Sequence, residues 1–233
     1  MNSAFVNDMF SSISRRYDLL NDTLSLGIHR IWKRELISTG VAHLRKVAGS
    51  KVLDLATGTG DLAFGFAKRT PESVEIFGAD FCAPMIEEAA RRQAAQGMAR
   101  IQFRQGDALA LEFSDQSLDL VSVSFGARNF ADISKGMSEI ARVLKPNGLA
   151  LILEFGRADS FVGRAFEKFN SAWLPFWGGL LTGNSDAYRY LHRSSEGFPS
   201  GEDFLALCKK AGFASCEYRR FFPGNVFLYS LRK

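Results

Sequence analysis

Residues 52–63 read VLDLATGTGDLA, which predicts a buried strand, a glycine turn and the start of a helix. The apolar run before the turn is typical of a central parallel strand. Gly58 and Gly60 let the backbone turn tightly and approach a ligand without obstruction by a Cβ atom. Asp80 ends the next apolar run, residues 74–80, where its carboxylate can accept both hydroxyls of a ribose. These residues predict a nucleotide-type cofactor site.

The kind of cofactor has to be inferred from charge, because the spacing Gly58-x-Gly60-x-x-Ala63 also satisfies the loose dinucleotide fingerprint. A pyrophosphate prefers bare backbone N–H groups at a helix start, and the carboxylates of Asp54 and Asp61 would repel it. The ammonium and sulfonium groups of S-adenosylmethionine are favoured by nearby negative charge. The residues therefore favour S-adenosylmethionine over NAD. The alternative is that Asp61 only caps the helix and that Asp54 is solvated.

The composition is that of one globular domain. With 233 residues and 46% hydrophobic content, the chain can bury one substantial core. Its 29 basic residues are spread among 25 acidic ones, so the net charge of +4 does not predict a nucleic-acid partner. The same small excess of positive charge could help a soluble enzyme to stay on an anionic bilayer.

The three cysteines, Cys82, Cys208 and Cys216, show neither paired spacing nor the spacing of a metal site. We therefore expect three free thiols in a reducing compartment and no metal. No basic N-terminal region leads into an apolar stretch, and no window has the length of a membrane span. The expected location is the cytoplasm.

The order of predicted elements divides the single domain, 1–233, into four parts. These are an N-terminal helical cover (1–45), a cofactor-binding core (50–155), an aromatic insertion (156–199) and a C-terminal helix with a hairpin (200–233). Helical spacing of apolar residues runs through 6–20 and 28–37. We predict strands at 51–56, 74–80, 101–105, 118–125, 149–155, 214–221 and 226–232, and helices at about 61–69, 84–96, 132–143 and 201–211.

The last two strands indicate which α/β sheet this is. The connection between them is short and contains Pro223-Gly224-Asn225. A connection of this length requires the two strands to pair antiparallel. An antiparallel last strand distinguishes the class I S-adenosylmethionine-dependent methyltransferase fold from an ordinary dinucleotide-binding sheet. We therefore predict a Rossmann-like, seven-stranded sheet with an antiparallel last strand and an N-terminal helical cover. Residues 145–148, KPNG, predict a turn before the fifth strand.

The chain resembles the ubiquinone/menaquinone biosynthesis C-methyltransferases. The most specific segments are GIHRIWKR at 27–34 and SFGARN at 124–129. Other matching segments are 9–22, 142–148, 153–155, 187–191 and 198–199, so the resemblance spans almost the whole chain. The sequence differs from the family's usual pattern at 156–158, where GRA replaces Ser-Lys-Pro.

This resemblance implies methyl transfer from S-adenosylmethionine to a ring carbon of a prenylated quinol. The product would be menaquinol from demethylmenaquinol, or the corresponding ubiquinol intermediate, and no residue decides between the two branches. By motif position, the resemblance implies cofactor contacts for Thr59, Asp80, Asp107, Ala108 and Ser124. The residue pattern adds Asp54, Gly58 and Gly60 to this set. It also places Ser124 at the carboxyl end of the fourth strand, where ligands bind such sheets.

The candidate catalytic residues follow from the chemistry of a quinol. Its ring carbon becomes nucleophilic only when a neighbouring hydroxyl loses its proton, so deprotonation and alignment are both needed. Arg128 could stabilise the quinolate oxygen or polarise a water, unless it is a surface or helix-capping arginine. Asn129 and Tyr17 could hydrogen-bond the ring oxygens, although Tyr17 equally fits the apolar stripe of its helix. His29 is more typical of a structural histidine than of a base.

The insertion is the densest aromatic region. Phe161, Ala165, Phe169 and Trp173 recur every four residues, and PFWGGLL follows at 175–181. A helix buried against the sheet explains this pattern, as does a lid that holds a polyprenyl tail and touches the bilayer. We favour the lid, because the expected substrate, a prenylated quinol, is lipophilic. The expected partners are that substrate, transient contact with the inner face of a membrane and a second copy in a homodimer.

Two other functions remain compatible with the residue pattern. The first is an NAD-dependent oxidoreductase, which Asp54, Asp61 and the closing hairpin disfavour. The second is a methyltransferase-fold binding subunit of a quinone-assembly complex. The intact glycine turn and Asp80 argue against loss of cofactor binding but are compatible with such a scaffold role.

Overall fold

The computed structural model describes residues 27–45, 49–157 and 197–233. These residues form an α/β domain with one sheet. The strands are β1 (Lys51–Leu55), β2 (Glu75–Asp80), β3 (Ile101–Gln105), β4 (Leu118–Ser124), β5 (Leu144–Phe155), β6 (Ser215–Phe221) and β7 (Val226–Arg232). The helices are α1 (Ile28–Leu44), α2 (Asp61–Ala67), α3 (Ala83–Gln96), α4 (Ile133–Val143) and α5 (Glu202–Lys210), and a 3₁₀ turn covers Ala127–Asn129.

The sheet has seven strands in the order β3-β2-β1-β4-β5-β7-β6. The first five strands run parallel, and β7 lies antiparallel between β5 and β6. The order reverses between β1 and β4, so a crevice opens at the carboxyl ends of these two strands. This arrangement confirms the predicted seven-stranded fold with its antiparallel closing strand.

The hydrophobic core lies on both faces of the sheet. On one face, α1 and α2 cover the side chains of Val52, Leu120 and Leu151. On the other face, the helices α4 and α5 pack against the opposite side chains of the same strands. Central parallel strands require this double cover, because neither of their faces can be left to water. The central strands are thereby packed on both sides.

The predicted elements agree with the structure to within a few residues, except at α1, which continues from the predicted stretch 28–37 to Leu44, and at β5. The predicted turn at 145–148 lies inside β5, where it forms an irregularity. In the pairing of β4 with β5, the register passes from Leu118↔Leu144 directly to Leu120↔Leu149. Asn147 keeps the left-handed backbone expected of a turn, with φ of 65°. Its amide donates to the carbonyl of Lys233, so pairing with the end of the chain continues the strand through the turn.

Several sequence predictions concern residues outside the described ranges. They are the helix at 6–20 with Tyr17, and most of the aromatic insertion, including Phe169 and Trp173. The division of the chain into cover, core, insertion and C-terminal part also stays a prediction. Within the described residues, no helix is long and apolar enough to cross a membrane.

Candidate active site

The glycine turn between β1 and α2 forms an open backbone cradle. Gly58 has a φ of 56°, and a Cβ atom placed on it would meet nothing within 4 Å. Gly60 has a φ of 92°, and its Cβ would lie 2.8 Å from the ring of Phe103. Gly58 therefore keeps the approach to the backbone open, whereas Gly60 lets the turn pack against β3. The turn therefore has the open backbone that the sequence predicted, and its role as the cofactor site stays a prediction.

The buried carboxylate of Asp54 holds this turn from below. Its Oδ2 accepts from Thr57 Oγ1 at 2.6 Å and from the Ala63 amide at 3.2 Å. Its Oδ1 accepts from Ser122 Oγ on β4 at 3.0 Å. Asp54 is only 1% exposed, so the interpretation of a solvated carboxylate is wrong. The residue joins β1, β4 and the start of α2 at the crevice.

Burial raises the pKa of Asp54 from an ordinary value near 3.8 to about 7, although its hydrogen bonds oppose the shift. The folded protein therefore keeps this proton over a pH range in which the unfolded chain has lost it. In that range the free energy of unfolding falls as the pH rises, because the unfolded state binds fewer protons. The loss begins near the unfolded value and ends near pH 7.

Asp54→Asn should remove this pH dependence, because an amide of the same shape can accept from Thr57 and donate to Ser122. We expect the free energy of unfolding of the wild type, relative to that of the variant, to fall between pH 5 and 7 by up to about 1.4 kcal/mol per pH unit. Denaturant titrations at several pH values measure it. Parallel pH profiles for the two proteins would contradict an Asp54 that titrates on unfolding.

Asp61 opens α2 but does not cap it with a side-chain hydrogen bond, so the capping interpretation is wrong. Its carboxylate pairs with Lys33 Nζ at 2.9 Å and with Arg92 Nη2 at 3.0 Å. Burial raises its pKa, but the charges and hydrogen bonds of these two cations outweigh burial and lower the pKa to about 2. Asp61 is therefore a compensated anion, which weakens the expected repulsion of a pyrophosphate.

Arg92 also determines where Thr59 points. Its Nη1 donates to the carbonyl oxygen of Thr59 at 2.8 Å and to the hydroxyl oxygen at 2.7 Å. Thr59 is buried, and its side chain is directed towards α3 rather than left open in the crevice. Sequence reasoning missed Arg92, because nothing in the residues around it indicates a contact with a turn 33 positions earlier.

Asp80 lies at the end of β2, next to the glycine turn. Its Oδ2 accepts from the Gly58 amide at 2.8 Å, and its Oδ1 accepts from the Cys82 amide at 2.9 Å. Burial raises the pKa of this carboxyl group in spite of these donors. Because each carboxylate oxygen has two lone pairs, Asp80 can still accept from ribose hydroxyls. Phe81 follows it with 48% of its surface exposed and offers an apolar ring beside the ribose acceptor.

Asp80→Asn should weaken the binding of S-adenosylhomocysteine by about 1–3 kcal/mol, because a charge-assisted acceptor is lost. Calorimetric titration gives this difference directly. Asp115→Asn is the matched control, since Asp115 is an exposed partner of Arg142 away from the crevice. Equal affinities of the wild type and Asp80→Asn for S-adenosylhomocysteine would show that Asp80 does not bind the cofactor.

The remaining predicted cofactor residues lie at the carboxyl ends of β3 and β4. Asp107 is exposed, and its Oδ1 accepts from the Leu109 amide at 2.9 Å. Ala108 beside it is buried. Ser124 ends β4, and its buried Oγ has no hydrogen-bond partner in the described structure. An unpaired buried hydroxyl is uncommon in proteins, and a bound ligand would supply the missing partner.

Arg128 is neither a surface nor a capping arginine. It lies in the 3₁₀ turn after β4, is 5% exposed and forms an ion pair with the fully buried Glu154 of β5. Sequence reasoning included Glu154 only as part of a family motif. A glutamate inside an apolar strand is itself an anomaly that could have indicated such a pair.

The other catalytic candidates are only partly placed. Asn129 is half-buried and follows Arg128 directly in the same turn. Tyr17 lies outside the described residues. His29 is buried in the first turn of α1, and its role stays a prediction. Among the described side chains, no group of three or more His, Cys, Asp or Glu could hold a metal ion.

Comparisons with solved structures support the fold. A putative S-adenosylmethionine-dependent methyltransferase from Methanococcus maripaludis matches 96% of this chain and 93% of its own, with a TM-score of 0.65 and 22% identity. A Thermotoga maritima structure, described as an S-adenosylmethionine-dependent methyltransferase and possible histamine N-methyltransferase, has a TM-score of 0.62 and 17% identity. It covers 97% of this chain and 99% of its own. Both neighbours share the α/β fold with its antiparallel closing strand, which is the fold of S-adenosylmethionine-dependent methyltransferases.

The sequence comparisons define the family. The model of the ubiE/COQ5 methyltransferase family matches residues 1–231. A demethylmenaquinone methyltransferase from Thermus thermophilus is 44% identical, covering 88% of this chain and 91% of that protein. A ubiquinone/menaquinone biosynthesis C-methyltransferase from Bdellovibrio bacteriovorus is 40% identical, covering 98% and 95%. The chain therefore belongs to the ubiE/COQ5 methyltransferase family, which confirms the resemblance.

Proposed function

We propose that this protein transfers the methyl group of S-adenosylmethionine to a ring carbon of a prenylated quinol, with demethylmenaquinol as its substrate. The observation that carries this proposal is the match to C-methyltransferase relatives along nearly the whole chain. The names of the Thermus and Bdellovibrio relatives have the menaquinone branch in common, whereas only the second also includes ubiquinone. Methylation of demethylmenaquinol is thus the shared activity.

The site residues divide into two groups in this reaction. Gly58, Asp80 and the exposed ring of Phe81 would hold S-adenosylmethionine, which supplies an electrophilic methyl group when bound. The cationic guanidinium of Arg128, at the carboxyl end of β4, would stabilise the negative charge that develops on the quinol oxygen. Asn129 beside it offers a hydrogen bond to a ring oxygen. The chain thus binds and orients the reactants, and orientation alone can supply several orders of magnitude in rate.

The direct test is incubation of the purified wild type with S-adenosylmethionine and a short-tailed demethylmenaquinol. We expect a quinol that is heavier by one methyl group, together with S-adenosylhomocysteine, and chromatography with mass spectrometry measures both. NAD should neither bind nor be reduced, because the chain belongs to a methyltransferase family and its sheet has an antiparallel closing strand. A protein that binds S-adenosylhomocysteine but methylates neither demethylmenaquinol nor the ubiquinol precursor would contradict the proposal and favour the binding-subunit function.

We further propose that the protein takes its lipophilic substrate from a bilayer surface. Three large apolar side chains are strongly exposed in the described structure, and two of them, Ile31 and Phe222, support this contact with exposures of 62% and 78%. Phe222 follows β6 at the tip of the closing hairpin, and Ile31 lies in the first turn of α1. Trp32 packs against Phe221, with ring centroids 6.5 Å apart, so the two exposed residues extend from adjoining elements.

The position and the charge of this surface fit an anionic bilayer. Phe221 pairs through Val226 with Phe155, so the hairpin tip projects at the carboxyl edge of the sheet, beside the crevice. Arg30 and Arg34 are exposed on α1 close to Ile31, whereas the charge of Arg219 on β6 is compensated by Glu35 of α1 at 2.7 Å. Exposed apolar side chains flanked by basic ones are typical of interfacial membrane binding.

The double variant Ile31→Ser with Phe222→Ser should bind several-fold less tightly to vesicles that contain anionic lipid, because two apolar side chains no longer enter the interface. Vesicle co-sedimentation measures the change, and activity on a water-soluble, tail-less quinol should be kept. Gln96→Ser is the control, since Gln96 is exposed at the end of α3 on the opposite edge of the sheet. Unchanged vesicle binding of the double variant would overturn this docking surface.

A further inference from the structure

The ion pair between Glu154 and Arg128 is unusual because both side chains are almost completely buried. Glu154 is 0% exposed and Arg128 is 5% exposed. Glu154 Oε1 accepts from Arg128 Nη1 and from the Phe155 amide at 2.9 Å. Its Oε2 accepts from the Arg128 amide at 3.2 Å. The carboxylate therefore holds both the backbone and the guanidinium of Arg128.

Stability alone does not account for this pair. Taking two charges out of water is costly. A protein in which apolar residues of similar volume replace such a pair is therefore often as stable as the original, or more stable. In addition, Arg128 Nε is buried without a hydrogen-bond partner in the described structure. An unpaired buried donor is costly, because the hydrogen bonds that it loses to water are not replaced. The protein therefore retains a costly arrangement at the place where a ligand is expected.

The surroundings of the guanidinium restrict its position further. Its Cζ lies 5.7 Å from the centroid of the Phe155 ring, and Phe155 stacks on Phe125 at 4.6 Å. Phe125 directly follows Ser124, whose backbone pairs with Leu153, the residue before Glu154. Arg128 is thus held by a carboxylate and an aromatic ring at the carboxyl ends of β4 and β5.

We propose that Glu154 is a positioning residue for methyl transfer, which fixes Arg128 so that its guanidinium charge lies beside the oxygen of the quinol. This inference rests on the proposed function and assigns a part of the same site. The fixed guanidinium needs no reorganisation when negative charge develops on the substrate.

Glu154→Gln tests the proposal, because it keeps the shape of the side chain and removes its charge and one acceptor. We expect kcat to fall about tenfold or more, since a misplaced catalytic group can cost about 100-fold in rate. The KM for the quinol should stay within about threefold, and the Kd for S-adenosylhomocysteine within about twofold, of wild type. A merely structural Glu154 would lower the Tm and leave kcat unchanged at temperatures well below it.

Glu139→Gln is a matched control. Glu139 also accepts from an arginine, Arg142, and from a backbone amide, that of Leu111, but it lies on α4 outside the crevice. This variant should methylate at the wild-type rate. If the wild type and Glu139→Gln both methylate the quinol, the proposed function holds. A normal kcat for Glu154→Gln would then overturn only the role of Glu154.

A second variant covers the case in which Glu154→Gln does not fold. Glu154→Leu combined with Arg128→Met removes both charges together and should keep the fold stable. We expect this double variant to bind S-adenosylhomocysteine normally and to lose methylation. Wild-type methylation by the double variant would overturn the proposal, because the pair would then serve neither positioning nor catalysis.

Discussion

The site depends on one buried carboxylate. Asp54 accepts hydrogen bonds from the glycine turn, from the start of α2 and from Ser122 on the neighbouring strand. It thereby joins the two strands between which the crevice opens. Burying such a group raises its pKa to about 7, so the geometry of the turn is obtained at a cost in stability near neutral pH. The same carboxylate thus holds the glycine turn in place and titrates near neutral pH.

The electrostatic inference from the sequence reached the right cofactor class by an incomplete argument. Asp61 carries its charge, but Lys33 and Arg92 compensate it, and these partners come from helices distant in sequence. Asp54 is buried and titrates near neutrality, so it contributes less negative charge than a free aspartate would. The closing hairpin, whose short connection forces antiparallel pairing, was therefore the stronger discriminator against a dinucleotide fold.

Local patterns predicted the fold and the backbone of the candidate cofactor site, because strand, turn and helix signals depend on neighbouring residues. Gly58, Gly60 and Asp80 are examples. Long-range partners could not be predicted this way: the pairing of Arg128 with Glu154 and of Arg92 with Thr59 depends on how separate elements pack. The irregularity in β5 has the same origin, since the turn at Asn147 is held by Lys233 at the other end of the domain.

The insertion of β7 between β5 and β6 has a consequence for how the domain is made. During synthesis from the N-terminus, the five parallel strands can assemble while the outer edge of β5 still lacks its neighbour. Open, apolar strand edges pair readily with other chains and promote aggregation. The last strand, β7, therefore covers the open edge of β5. A nascent or truncated chain without Val226–Arg232 leaves that edge exposed and is a natural target for chaperones and proteases.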